Sequence, residues 1–242
     1  MYNNQRSVQI LERDYTIWNH QSWNRYNPIK RWLVWEWLLN WDATDNLWIN
    51  NGTNTNGTFS DSFVGYNSKL WVWNGTTAYV EIPDAVNYRY QNGWVNWDLS
   101  ISVWYTPTNT TGVKTIVGKW TNPTLLTTDW IIYTNWTAVS LWILWTAVPC
   151  TATAVLTAWV PVHIVGTFTS WKLQSIYIDS VFKTSATETN SPTYVLYDPI
   201  RIGQNTWTNW NNWKVQLFRI FRWVLTPKEI KLLHKEWLKI IH

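Results

Sequence analysis

Residues 162–178, VHIVGTFTSWKLQSIYI, contain two short β-type runs separated by a polar turn. In the second run Ile176 and Ile178 fall on one face of an extended chain, because side chains alternate along a strand. Ser175 and Tyr177 fall on the opposite face. Similar runs recur along the chain between stretches rich in Asn, Thr, Gly and Pro. This regular spacing predicts an all-β sandwich or barrel.

The predicted strands are distributed along the chain between Ala78 and Phe221. The runs with clear strand character are Ala78–Ile82, Leu99–Tyr105, Lys114–Gly118, Ile131–Tyr133, Val139–Leu144, Val162–Thr167, Leu173–Ile178, Ile200–Ile202 and Lys214–Phe221. In the last run the apolar positions change phase between Leu217 and Phe218, which predicts a β-bulge or a strand buried on both faces.

One helix is predicted, at the end of the chain. Residues 226–229, TPKE, place Thr at the N-cap, Pro at the first helical position and Glu at the third, which is a capping box. Ile230 and Leu233 begin an apolar face. We expect this face to dock on the sandwich rather than on a membrane surface.

The bulk composition fits one large domain. A chain of 242 residues lies within the usual range of about 200–250 residues for a β-sandwich. The single cysteine, Cys150, is expected to be a small buried hydrophobe. The net charge is +4 without a run of five like charges, so no nucleic-acid partner is expected. No stretch approaches the roughly 18 apolar residues of a membrane span.

The N-terminal segment differs in character from the rest. Residues 1–30 are polar, weakly patterned and without the apolar segment of a signal peptide. We interpret them as an arm or a linker from a larger precursor. Residues 31–242 are then the folded domain.

Tryptophan stands where glycine is expected. The chain has 24 Trp and 9 Gly, whereas average Gly usage is about 7%. Tryptophan follows asparagine at Trp41, Trp97, Trp136, Trp210 and Trp213. Asn-Gly there would be a strong hairpin signal, and a bulky side chain in that backbone geometry costs about 1–2 kcal/mol. We hypothesise that many of these residues are glycines encoded by UGA codons. A genuinely Trp-rich surface, as in some sugar-binding or membrane-interface proteins, is the alternative.

The order of several short segments along the chain indicates a family resemblance. These segments are residues 33–42 (LVWEWLLNWD), 69–83 (KLWVWNGTTAYVEIP), 99–107 (LSISVWYTP), 115–119 (TIVGK), 163–168 (HIVGTF), 199–203 (PIRIG) and 214–221 (KVQLFRIF). In this order they resemble LamG-like jelly-roll domains of the concanavalin A-like lectin/glucanase superfamily. The resemblance implies a two-sheet antiparallel jelly-roll sandwich that ends in a short helix.

The resemblance also sorts the tryptophans. Trp37 and Trp104 stand where the family has aromatic residues, so both are expected in the core. The tryptophans that stand where the family has glycine are Trp32, Trp41, Trp171 and Trp213. Ser180 also replaces a family glycine, at a predicted hairpin.

No catalytic pattern is found. Retaining glycoside hydrolases of this superfamily need two carboxylates about 5–5.5 Å apart. Glu81 and Asp84 fall on opposite faces of a strand and no third acid follows them. The histidines have no metal-ligand spacing, and His163 is expected to be a structural residue with its hydrogen bonds satisfied. We therefore expect no enzyme activity.

Calcium is the candidate cofactor. Some LamG domains bind one Ca²⁺ through two aspartates from neighbouring loops, and the resemblance implies Asp129 and Asp198 as these ligands. Carboxylate oxygens suit this hard cation. The alternative is that each aspartate opens a turn or caps a strand end.

A loop after the run Ile200–Ile202 is the candidate ligand site. Rim loops of such sandwiches usually carry binding residues, and amide side chains offer donors and acceptors to sugar hydroxyls. The candidates are Gln204, Asn205, Trp207, Asn209, Trp210 and Asn211. The two tryptophans could stack on sugar rings only if they are genuine.

The sequence therefore favours a non-catalytic recognition module. It would bind carbohydrate or a surface partner, with Ca²⁺ assistance, within a secreted, cell-surface or virion protein. Two alternatives stay open: a glycoside hydrolase or lyase of the same superfamily, and a purely structural assembly domain.

Overall fold

The computed structural model describes the β-rich part of the chain. The described residues are 33–37, 39, 43, 45, 50–60, 70–72, 78–84, 98–120, 128–143, 149–171, 173–187, 198–203 and 213–240. The arm predicted for residues 1–30 lies outside them, so the boundary at residue 31 stays a prediction.

The described residues form fifteen strands and one helix. The strands are β1 (Leu33–Trp37), β2 (Thr53–Thr55), β3 (Thr58–Ser60), β4 (Leu70–Val72), β5 (Tyr79–Ile82), β6 (Leu99–Pro107), β7 (Val113–Trp120), β8 (Thr128–Asn135), β9 (Ala138–Ile143), β10 (Cys150–Ala152), β11 (Val162–Phe168), β12 (Leu173–Ile178), β13 (Val181–Thr187), β14 (Ile200–Ile202) and β15 (Trp213–Phe221). The helix is α1 (Pro227–Ile240).

The strands form two antiparallel sheets. Sheet A has the order β13-β12-β11-β6-β15-β4-β3, with β1 also paired to β15. Sheet B has the order β10-β9-β8-β7-β14-β5-β2. The predicted all-β, two-sheet antiparallel sandwich with a short C-terminal helix is therefore confirmed.

The core lies between the two sheets. From sheet A, Ile101, Val103 and Tyr105 of β6 enter it on alternate positions, and Ile132 and Leu141 enter it from sheet B. Each fully buried aliphatic side chain contributes about 1.5–3 kcal/mol to folding. Because one face of each sheet is buried, the register of every strand is fixed by its apolar set.

Register shifts interrupt this alternation at several places, and those in β15 and β7 affect the core. In β15 the register shifts between Gln216 and Phe218, and Leu217 has a φ of 49°. The predicted bulge is therefore confirmed. A second shift in β7, between Thr115 and Val117, lets both Ile116 and Val117 join the core.

The C-terminal helix begins as predicted. The backbone N–H of Thr226 donates to Glu229 Oε2 over 2.8 Å, and the N–H of Glu229 donates to Thr226 Oγ1 over 3.3 Å. Ile230 and Leu233 are buried, so the helix docks on the sandwich. Within the described residues, no helix is long and apolar enough to cross a membrane.

The hairpin between β12 and β13 forms without glycine. Asp179 and Ser180 have φ values of 49° and 66°. Aspartate tolerates this left-handed region better than most residues. Its carboxylate Oδ1 also accepts a 2.9 Å hydrogen bond from the N–H of His163, which ties the turn to β11.

Candidate functional site

One end of sheet B, which we call the aspartate end, gathers buried charges. Ile200 of β14 pairs with both Ile82 of β5 and Lys119 of β7. Asp84 and Asp198 each lie two residues beyond these pairs, at the same sheet end. The Lys119 ammonium lies 3.7 Å from Asp84 Oδ1, and both side chains are buried.

Asp198 has the features of an oxygen ligand without a partner. It is 3% exposed, and its buried Oδ2 has no hydrogen-bond partner. A buried carboxylate oxygen left in this state is costly, and a hard cation would satisfy it. The ammonium of Lys119 already supplies one positive charge at this sheet end.

The backbone of Asp129 lies at the same end of sheet B. It lies in β8, next to Trp130, which pairs with Lys119. β8 and β14 therefore flank β7 on its two sides, and both predicted aspartates belong to the aspartate end. The side chain of Asp129 lies outside the description, and the described residues contain no group of three potential metal ligands. The calcium site stays a prediction.

The predicted ligand residues lie outside the described part of the chain. They are Gln204, Asn205, Trp207, Asn209, Trp210 and Asn211. The strand ends that flank them are described: the N–H of Gly203 donates to Ile116 O over 3.0 Å, and Trp213 pairs with Pro107.

These strand ends lie at the end of the sandwich opposite the aspartate end. Asp198 and Gly203 are separated by about 16 Å if the chain between them is extended at about 3.3 Å per residue. The predicted calcium ligand and the root of the predicted glycan loop are therefore at different ends. One site cannot combine them directly.

The second end, which we call the loop end, brings together three described connections. The N–H of Trp136, in the β8–β9 turn, donates to Gly112 O over 3.1 Å. The N–H of Val155 donates to Thr137 O over 2.9 Å, and the N–H of Trp159 donates to Pro107 O over 2.6 Å. The connections β6–β7, β8–β9 and β10–β11 therefore support one another at this end.

Two tryptophans at the loop end have left-handed backbones. Trp136 has a φ of 57° and Trp159 a φ of 65°, and their exposed fractions are 63% and 62%. Val160, which follows Trp159 in the chain, is half exposed. The sequence singled out Trp136 through its preceding asparagine. It missed Trp159, which follows Ala158 and carries no Asn-Gly-like signal.

Lys114 anchors the β6–β7 connection from inside. Its ammonium donates to the backbone oxygen of Asn109 over 2.7 Å and also to Asn109 Oδ1. Burial lowers the pKa of Lys114 to about 8. With 2% of its surface exposed, this lysine stabilises the loop end rather than presenting a charge to a ligand.

The two carboxylates considered for glycoside hydrolysis have separate partners. Glu81 Oε2 accepts 2.8 Å contacts from the Arg201 guanidinium. Asp84 instead faces Lys119. The two carboxylates therefore contact different cations.

The sequence missed a polar layer beneath α1. Arg219 contacts Glu36 and Glu236, and the imidazole of His163 lies 2.8 Å from Ser102 Oγ through Nε2. Its Nδ1 is buried without a hydrogen-bond partner, so the expectation of a fully satisfied histidine is wrong. Glu36 and Arg219 are 183 positions apart, and no local pattern could have paired them.

Comparison with known proteins identifies the fold. No family model and no curated protein matches the sequence. Among solved structures, the binding domain of Paraclostridial Mosquitocidal Protein 1 superposes with a TM-score of 0.70 at 15% identity, covering 86% of this chain and 53% of that one. The receptor binding domain of botulinum neurotoxin D gives a TM-score of 0.66 at 13% identity, covering 87% and 54%.

A third solved structure has a similar fold. The receptor binding domain of the botulinum neurotoxin C/D mosaic serotype gives a TM-score of 0.64 at 13% identity, covering 85% of this chain and 51% of that one. At these identities the likeness concerns the fold alone, and the LamG resemblance stays a prediction. The chain therefore has the fold of about half of each of these toxin binding domains, a two-sheet antiparallel β-sandwich.

Proposed function

We propose that this domain is a non-catalytic recognition module that binds a surface receptor through its loop end. The observation that carries the proposal is the convergence of three described connections and the two strand ends that flank residues 204–212. Such a rim lets loops vary while the sheets hold their roots in place. The solved structures with this fold include receptor-binding domains of toxins, which supports a binding role.

The chemistry of the loop candidates favours a glycan as the receptor group. Residues 204–212 contain Gln204, Asn205, Asn209, Asn211 and Asn212. Their amides offer paired donors and acceptors to sugar hydroxyls. Against glycoside hydrolysis stands the sequence, which offers no paired-carboxylate motif, and Glu81 and Asp84 contact different cations. The proposed location is a secreted, cell-surface or virion protein.

A calcium ion at the aspartate end would have a structural role. Asp198 and Asp129 would supply carboxylate oxygens, and the ion would satisfy the unpartnered Oδ2 of Asp198. Because the loop end lies at the other end of the sandwich, calcium would stabilise the sheet without contacting the glycan. Chelation is therefore expected to lower stability more than glycan affinity.

Glycan-array binding followed by titration calorimetry tests the proposal. The protein is compared with Asn205→Ala/Asn209→Ala at the candidate loop and with Ser170→Ala as a control in the β11–β12 turn. Loss of binding confined to the loop variant supports the proposal. Equal binding by all three proteins excludes residues 204–212 as the site. Failure to bind any glycan together with stable self-association favours an assembly domain.

A further inference from the structure

The layer beneath the C-terminal helix is distinct from the inter-sheet core. Trp104 alternates with Val103 and Tyr105 of β6, whose side chains enter the core, so Trp104 points to the outer face of sheet A. The helix covers this face with Ile230 and Leu233, both buried. These two residues lie outside the main core cluster, so the helix could leave without opening the core.

Three rings form a stack across this layer. The ring of Trp104 lies 4.9 Å from that of His163 in β11 and 5.2 Å from that of His234 in α1. The two imidazoles lie 5.6 Å apart. The imidazole of His163 is buried and that of His234, on the helix, is partly buried, and both contact the ring of Trp104.

Ion pairs and hydrogen bonds complete the attachment. Arg219 of β15 contacts Glu36 of β1 and Glu236 of α1, the latter over 3.1 Å. The hydroxyl of Ser100 donates to Trp223 O over 2.7 Å and accepts from the N–H of Leu225 over 2.9 Å. The chain is therefore fixed just before the helix, while the helix itself is held by the rings, by the Arg219–Glu236 ion pair and by its apolar face.

Both imidazoles are suited to the neutral form. Nδ1 of His163 and Nδ1 of His234 are buried without hydrogen-bond partners. Burial, then His234, then Arg219 hold the pKa of His163 well below its usual range. Burial also lowers the pKa of His234, against the opposing effect of Asp179.

We propose that the C-terminal helix is an acid-released latch, in which protonation of His163 and His234 undocks α1 and exposes the outer face of sheet A around Trp104. The imidazolium rings of His163 and His234 would repel each other at their separation of 5.6 Å. Protonation would also place a proton on two nitrogens that have no acceptor. The latch would convert a covered apolar face into an exposed one in an acidic compartment.

The surrounding charges set which histidine controls release. His163 faces Ser102 and Trp104 of β6, His234 of α1 and the Arg219 guanidinium of β15, which disfavours a second positive charge. His234 faces the Asp179 carboxylate at the β12–β13 turn, which favours its charged form.

The carboxylates of Glu36 and Glu236 compensate Arg219. With its charge balanced in this way, Arg219 does not drive release by itself. The Asp179 carboxylate also lies near His163, where it accepts the backbone N–H over 2.9 Å. Burial, His234 and Arg219 nevertheless hold the pKa of His163 well below its usual range, which makes His163 the dominant group.

The sign of the pH dependence follows from proton linkage. A histidine whose folded pKa lies below its unfolded value of about 6.5 contributes stability that is present above that value and is lost as pH falls below it. Each such histidine lowers the docking equilibrium by up to about tenfold per pH unit in this window. We expect docking to be stable at pH 7.5 and weakened at pH 5.

Hydrogen exchange on the full chain tests the latch. Protection of peptides within residues 228–236, corrected for intrinsic exchange rates, is expected to fall by tenfold or more from pH 7.5 to pH 5. Protection of β6 peptides is expected to change much less. Unchanged protection of the helix across this range would overturn the proposal without any variant.

Substitutions identify the titrating groups. The variant His163→Phe/Ser102→Ala/His234→Phe keeps aromatic rings in the stack and removes both imidazoles and the orphaned hydroxyl. Its helix is expected to stay protected at pH 5, whereas the control His242→Phe is expected to release like the parent chain. Release of the triple variant with the parental pH dependence would assign the effect to Glu36 and Glu236 and overturn the proposal.

Discussion

The tryptophans of the sandwich interior and those of the loop end are the same residue type in opposite physical settings. Trp37 is fully buried, stacks on Phe218 at 5.2 Å and donates its indole N–H to Asn50 O over 3.2 Å. Trp136 and Trp159 are mostly exposed and have left-handed backbones. Burial of a Trp ring with its N–H satisfied stabilises the fold. A bulky side chain at positive φ destabilises it.

This difference separates the two interpretations of the Trp-rich composition. The Trp37 ring is buried and packs on Phe218, so glycine at this position would leave a large cavity. At Trp136 and Trp159 the backbone adopts a conformation that glycine reaches freely. Among the described tryptophans, the backbone therefore favours the hypothesis of UGA-encoded glycine at Trp136 and Trp159 and not at Trp37. This hypothesis stays a prediction, and it bears on function because it removes exposed rings from the proposed receptor surface.

The largest expected effect is at a core ring. Trp37→Ala is expected to destabilise the protein by about 3–5 kcal/mol, because it removes a buried aromatic side chain and leaves a cavity. Urea unfolding followed by circular dichroism measures the change in the free energy of unfolding. A loss below about 1 kcal/mol would contradict the assignment of Trp37 to the core.

Calcium provides an intermediate effect at the aspartate end. If Asp198 is a ligand, Ca²⁺ at 100 times its dissociation constant is expected to raise the free energy of unfolding by about 2.7 kcal/mol. Asp198→Asn should abolish this increment. The readout is the thermal midpoint with Ca²⁺ and with chelator, and identical midpoints for the parent chain would exclude the site.

A smaller effect of opposite sign is expected at the loop end. Trp136→Gly and Trp159→Gly are each expected to stabilise the protein by about 1 kcal/mol, since glycine relieves the strain of a side chain at positive φ. Trp171, which is 87% exposed and is not among the positive-φ residues, is the matched control. There Trp→Gly is expected to destabilise by about 0.5–1 kcal/mol, because glycine gains more freedom in the unfolded chain.

The same unfolding experiment can contradict the proposed difference between the loop-end tryptophans and Trp171. If Trp136→Gly and Trp159→Gly behave like the substitution at Trp171, positive φ does not disfavour tryptophan at these turns. The loop-end rings would then be compatible with genuine tryptophan, and a stacking surface for sugars would regain support.

Local sequence patterns predicted the structural features that are determined by residues close together in the sequence. The apolar runs located nine of the fifteen described strands and missed β1 to β4, β10 and β13. The change of phase at Leu217 located the bulge, and the TPKE motif located the start of α1. The burial of Trp37 and Trp104 followed from the resemblance, but Trp104 lies beneath α1 on the outer face of sheet A and not in the core between the sheets. All of these features are encoded within a few residues of where they occur.

The remaining features depend on residues brought together by the fold. The Glu36–Arg219 pair and the Trp104–His163–His234 stack join distant segments. The placement of Asp84, Asp198 and Asp129 at one end of sheet B follows from strand register, which the sequence did not supply. The left-handed backbone of Trp159 has no preceding asparagine to signal it.

Tandem mass spectrometry of the protein from its native source tests the comparison most directly. Peptides that cover positions 37, 104, 136 and 159 are sequenced together. The account predicts tryptophan at 37 and 104 and glycine at 136 and 159. Tryptophan at both 136 and 159 would contradict it and would make the loop end an aromatic receptor surface.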